Sequence, residues 1–169
     1  MRIMDIIIPS INLTTILPEI VIALCACGLL MLQVFAPRNK DLFGYFCLSG
    51  VVVAVLLVLY QPGPFSAKSV EYSFNGMWIV DNYSRFFKLI FLAGTGLTSL
   101  ISLRYVKTES IQNGEFFAML LFATLGMMIM AGAAELITIF LGLELMSISL
   151  YVLAGYTRNR MASNEAALK

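Results

Sequence analysis

The 169-residue sequence predicts an all-α, polytopic integral membrane helix bundle: one transmembrane domain over residues 1–169, with five spans and the start of a sixth helix. Three observations predict it. Hydrophobic residues make up 60% of the chain and charged residues 12%, a balance of membrane proteins rather than water-soluble domains. Five apolar runs approach or reach the roughly 20 residues that cross a hydrocarbon core. A soluble domain of this length would still expose about a third of its unfolded surface, too much to hide five such runs.

The elements follow in order. Residues 1–13 form a short amphipathic lead carrying Arg2 and Asp5, and the first span covers about 16–35. Pro18 and Glu19 open it: proline is tolerated in a first helical turn, and a carboxylate there suits the positive end of the helix dipole. Glu19 is therefore expected to be an interfacial cap. The length of the run, its weakly basic lead and the spans that follow argue against a cleaved signal peptide. A tight polar turn at 36–41 leads into span two, about 42–60, whose Val/Leu core carries no ionisable group and which is expected to face lipid or to pack. Gln61, Pro62 and Pro64 stop it. The connection from there to Asp81 is the longest polar stretch, and Tyr72, Phe74, Trp78 and Tyr83 crowd its second half as aromatic anchors of a membrane interface.

Span three covers about 83–103. Thr95, Ser99 and Ser102 share one face with Gly94 and Gly96 beside them, a pattern of close helix packing. Lys88 stands barely a turn inside and is expected to snorkel to the interface. A polar turn at 104–114 precedes span four, about 116–134, whose methionines are adaptable packing groups. The very short hairpin at 131–135 makes spans four and five, the latter about 136–156, antiparallel neighbours. Past Tyr156 the chain turns polar, and Ser163 reads as the N-cap of a new helix that stops within its second turn, as a fragment of a longer subunit would.

Composition also excludes chemistry. A net charge of +1 argues against a nucleic-acid partner. The chain has no histidine, and Cys25, Cys27 and Cys47 lie in apolar runs. Cys25 and Cys27 lack the spacing of a C-x-x-C redox motif and project about 200° apart on a helix, so no metal, haem or iron–sulfur site is expected. No G-x-G-x-x-G fingerprint is present, and no redox cofactor is expected. Seven basic residues (Arg38, Lys40, Arg104, Lys107, Arg158, Arg160 and Lys169) fall on one side of the five-span topology, and Arg2, Lys68, Arg85 and Lys88 on the other. The positive-inside rule then puts the amino terminus outside and the segment after span five in the cytoplasm.

Glu144, near the middle of span five, is the principal candidate site. A carboxylate at the centre of a spanning helix costs about 2.5–3.5 kcal/mol on insertion scales, so it is expected to face protein or water. Ser147, Ile148 and Tyr151 share its face, so Glu144, Ser147 and Tyr151 form a stripe suited to hydrogen bonds or ordered water. Glu135 points to the opposite face, about 13 Å away along the axis.

Several stretches carry a family resemblance. They are Leu17-Pro18-Glu19, the Asp81-x-Tyr-Ser-x-Phe-Phe entry to span three, Glu135-Leu-x-x-x-Phe-x-Gly-Leu-Glu144-Leu-Met-Ser-Ile-Ser149 with Tyr151, and Glu165-Ala-Ala-Leu-Lys169. On these residues the chain resembles the amino-terminal third or so of the subunit N family, antiporter-like membrane subunits of the bacterial proton-pumping NADH-quinone oxidoreductase, respiratory complex I. The resemblance implies a subunit of the inner membrane assembled with other complex I subunits, with NADH and quinone chemistry performed elsewhere. It also implies that Glu144 pairs with a lysine on a seventh helix and takes part in proton movement. That lysine is expected beyond Lys169. A subunit of a multi-subunit cation/proton antiporter, or a passive scaffold whose Glu144 only locks helix packing, are the alternatives.

Overall fold

The computed structural model describes residues 12–35, 40–61, 70–108, 113–156 and 165. The amphipathic lead before residue 12, the turn at 36–39, Pro62 to Lys68, and the sixth-helix start other than Glu165 lie outside the described residues. Among the described residues, five helices are long and apolar enough to cross a membrane: α1 (Leu17–Phe35), α2 (Lys40–Tyr60), α3 (Asn82–Thr108), α4 (Asn113–Gly132) and α5 (Leu136–Ala154). The chain is therefore an all-α integral membrane bundle, as its hydropathy predicts.

The helix ends differ from the expected spans in instructive ways. Between Arg104 and Thr108 there is neither glycine nor proline to stop the backbone, so α3 runs on to Thr108 through what was expected to be a polar turn. At its start, Ser84 N donates to Asp81 Oδ1 at 2.7 Å and Asp81 N donates to Ser84 Oγ at 3.1 Å, a reciprocal cap of the first turn. Similarly, Gly114 N at the start of α4 donates to Gln33 Oε1 near the end of α1, 2.8 Å away, satisfying a backbone donor that the helix cannot.

Helix α4 is central and packs against each of the other four. Ile22, Ala26 and Leu29 of α1, Phe43, Cys47, Val51, Ala54 and Val58 of α2, and Phe117, Leu121, Leu125 and Met128 of α4 make up most of the core. Their three- and four-residue spacing makes each set a stripe on one face. Thr95, Ser99 and Ser102 are buried, with Thr95 Oγ1 2.6 Å from Thr124 Oγ1 of α4, so this face packs as expected. Gly94, by contrast, meets nothing within 4 Å. The three cysteines are free, and Cys25 packs on Gly50 of α2.

Helix α5 is an outer helix. Half of the α4 span is buried, 50%, but only 11% of the α5 span. Its contact with α4 is made through glycine: a Cβ on Gly126 would lie 2.6 Å from both the Gly142 carbonyl oxygen and the Met146 nitrogen. Gly126→Ala must therefore push two backbones apart, and is expected to cost about 1–3 kcal/mol, as overpacking does. Thermal unfolding of the full-length subunit measures it; an unshifted midpoint would refute this contact.

The described second half of the connection before α3, residues 70–81, carries regular structure. Strands β1 (Glu71–Ser73) and β2 (Trp78–Val80) pair antiparallel, Ser73 opposite Trp78. The turn between them holds Phe74, Asn75 and Gly76 at φ of 52°, 58° and 90°, and only the glycine adopts such a conformation without steric cost. An isolated bridge joins Trp78 to Ala133, and Ala134 N donates to Met77 O at 3.0 Å. The hairpin thus clasps the α4–α5 turn.

Candidate functional site

Two sets of ionisable side chains lie within the spanning helices, at different places. The first is the expected one. Glu144 and Tyr151 are exposed on the outer face of α5 and Ser147 is half-buried beside them, while Ser149 and Gly142 are buried towards α4. The stripe therefore exists as a shared face, turned away from α1 to α4. Ser149 Oγ donates back to Leu145 O at 2.7 Å, a bond within the helix. Among the described residues no ion pair reaches Glu144. Glu135, at the N-cap of α5, is exposed and makes no side-chain cap bond.

The second set is not where the sequence reading put it. Glu19 is not an interfacial cap, and Lys88 does not snorkel to the surface. Lys88 Nζ lies 2.8 Å from Glu19 Oε1, and the two side chains are 0% and 3% exposed. Nζ also lies 4.9 Å from the centre of the Trp78 ring, within cation–π range. Trp78, expected at the membrane interface with Tyr72 and Tyr83, is instead buried, whereas those two tyrosines are exposed. The hairpin explains this. It folds Trp78 inward, so that its ring lies on Gly132, where a Cβ would come within 2.6 Å of it.

The geometry follows from helix direction. Helices α1 and α3 both begin at the hairpin end, with Glu19 in the first turn of one and Lys88 in the second turn of the other. Four residues of depth separate them, about 6 Å. A helical side chain leans towards its own N-terminus, so the lysine stem covers that difference and delivers Nζ to the carboxylate. The closure above them is polar inside: Gln61 Nε2 donates to Thr15 O at 2.8 Å, and Trp78 Nε1 lies 3.4 Å from the same oxygen. Among the described residues Glu19 Oε2 and Gln61 Oε1 have no hydrogen-bond partner. Two opposite charges within lipid-crossing helices are the missed signal: each alone suits an interface, but together at one level they suit each other.

Fold and charges thus define a polytopic membrane protein with ionisable groups inside its spanning region. Residues 133–169, which hold α5 and Glu144, match a family described as NADH:quinone oxidoreductase/Mrp antiporter, TM. Over 95% of its length the chain is 44% identical to NADH-quinone oxidoreductase subunit N of Trichlorobacter lovleyi and 41% identical to that of Brevibacillus brevis, covering 32% of each. It is 39% identical to NAD(P)H-quinone oxidoreductase subunit 2 of a Nostoc species, covering 30% of that protein. The chain is thus similar along nearly its whole length to NADH-quinone oxidoreductase subunit N proteins, and it spans about a third of the length of the curated relatives it matches.

Proposed function

We propose that the chain is part of a proton-translocating subunit of NADH-quinone oxidoreductase, in which Glu144 binds and releases a proton. The observation that carries the reading is the coincidence of the family match with α5. The matched stretch contains a mid-helix carboxylate whose face is left uncovered by the other four helices. Lipid is a poor neighbour for that face, since a carboxylate there costs about 2.5–3.5 kcal/mol. Protein therefore covers it, in the remainder of the subunit or in a partner subunit of the complex, and supplies a cation there. A lysine beyond Lys169 is the expected source. An approaching ammonium favours the ionised carboxylate, and a retreating one favours the protonated form, so movement of the cation loads and unloads the proton. Ser147 and Tyr151 offer hydroxyls along the way.

On this reading NADH oxidation and quinone reduction occur on other subunits of complex I, and this chain holds no redox cofactor. The subunit lies in the bacterial inner membrane with its amino terminus and the β-hairpin on the periplasmic side. In the assembled complex, Glu144→Gln is expected to abolish most proton pumping while leaving helix packing intact, because the exposed carboxylate contributes nothing to the α4 contact. Undiminished pumping alongside normal quinone reduction would refute the role. The family description also names antiporters, which favours a second reading: a subunit of a multi-subunit cation/proton antiporter. Sodium-dependent proton flux without NADH oxidation would select it.

A further inference from the structure

We infer that Glu19 and Lys88 form a second proton-holding site, separate from Glu144 and placed at the hairpin end of the bundle. The inference rests on the proton-translocation reading. A buried ion pair is weak evidence of a structural need, because apolar residues of similar volume commonly hold a bundle together as well or better. Here the same end is already secured by Trp78 on Gly132 and by Gln61 on Thr15.

The pair has the parts of a proton exchanger. In the resting ion pair the carboxylate carries the negative charge and Nζ three protons. Uptake of one proton from a hydronium ion at Glu19 Oε2, an acceptor with no partner among the described residues, breaks an O–H bond of the hydronium, forms one on the carboxylate, releases a water molecule and leaves carboxylic acid beside ammonium. Alternatively, starting from the resting ion pair, transfer of one Nζ proton to the carboxylate across the 2.8 Å contact breaks an N–H bond, forms an O–H bond and leaves carboxylic acid beside neutral amine. Each state differs by one proton or by one proton's position. Glu19 and Lys88 stand in the first and second turns of their helices, so the pair lies within two turns of the hairpin end of the bundle.

Among the described residues, other charges near the pair are few. Arg85, buried one turn earlier on α3, and Asp81, bonded to Ser84 at the start of that helix, belong to the same element. Helices α1, α2 and α4 bring no further charged side chain to this end among the described residues, and Glu135 of α5 is exposed. The link to Glu144 runs through Trp78. The ring attracts an ammonium but not a neutral amine and bears on Gly132, while the Trp78 backbone bridges to Ala133, three residues before α5 begins.

The test uses the assembled complex with the full-length subunit. In Glu19→Leu/Lys88→Met the pair is replaced by apolar groups of similar volume. The expected result is a complex that assembles and oxidises NADH but loses proton pumping. Glu19→Gln, read by redox-difference infrared spectroscopy, is expected to lose a protonated-carboxyl band present in the wild type. Full pumping in the double variant, or an unchanged carboxyl spectrum in Glu19→Gln, overturns the inference. So does failure of the double variant to assemble, which assigns the pair to folding. Glu144→Gln in parallel separates the two readings: if it pumps normally, the proposed function fails; if it does not while the double variant pumps, only the second site fails.

Discussion

Lys88→Met in the full-length subunit is expected to destabilise the bundle by about 3–5 kcal/mol, because it leaves the buried Glu19 carboxylate without its counter-charge. A lysine reaching the membrane surface would behave differently: exposed ion pairs are worth about 0–1 kcal/mol, and methionine would replace the stem at little cost. Glu19→Leu should be milder than Lys88→Met. It strands the ammonium rather than the carboxylate, and the ammonium keeps the face of Trp78 4.9 Å away, a contact worth up to about 2 kcal/mol when desolvated. Combining the two substitutions removes both charges, so the double variant should unfold close to the wild-type midpoint. Thermal unfolding in detergent measures all four proteins. Equal losses that simply add would mean that the two side chains do not interact.

Those contrasts bear on what the sequence could reveal. The spans were legible because each is a run of apolar residues whose length matches the bilayer, and no tertiary context alters that. The antiparallel α4–α5 pair was legible for a similar reason, since a connection as short as that at 131–135 allows nothing else. The packed hydroxyl face of α3 could be read from helical spacing alone. Glu19 and Lys88 were misplaced because each satisfies a local rule, carboxylate at a helix start and lysine near a helix end, and the rule is blind to the other helix. The topology held the correction: helices of odd number start on the same side, so opposite charges in the opening turns of α1 and α3 share a level.

The Gly126–Gly142 approach was invisible for a different reason. Glycine in a spanning helix signals close packing of some kind, but its partner is fixed by the rotation of two helices about their axes. Rotation also decided the fate of the Glu144 stripe. Its members were correctly placed on one face, yet periodicity cannot tell whether that face meets α4 or the surroundings. The small residues Gly142 and Ser149 take the α4 side, since only they allow the close backbone approach, and this turns Glu144 outwards.

Trp78→Ala is expected to be comparably severe, about 3–5 kcal/mol as for large aromatic truncations in cores, and its consequences reach beyond the hole it leaves. The ring fills the space over Gly132, its Nε1 shares Thr15 O with Gln61, and its face covers Lys88. Truncation therefore removes packing, one polar contact and the cover of a buried charge at once. Trp78→Phe should recover most of the packing and the aromatic face while losing only the Nε1 contact, about 0.5–1.5 kcal/mol for a net hydrogen bond. The backbone bridge to Ala133 does not depend on the side chain, so the hairpin should still pair in both variants. If Trp78 were an interfacial anchor, alanine would leave the unfolding midpoint almost unmoved and Lys88 as protected from amine-reactive reagents as before. If it is the lid of the ion pair, alanine lowers the midpoint and opens Lys88 to labelling, and phenylalanine keeps it shielded.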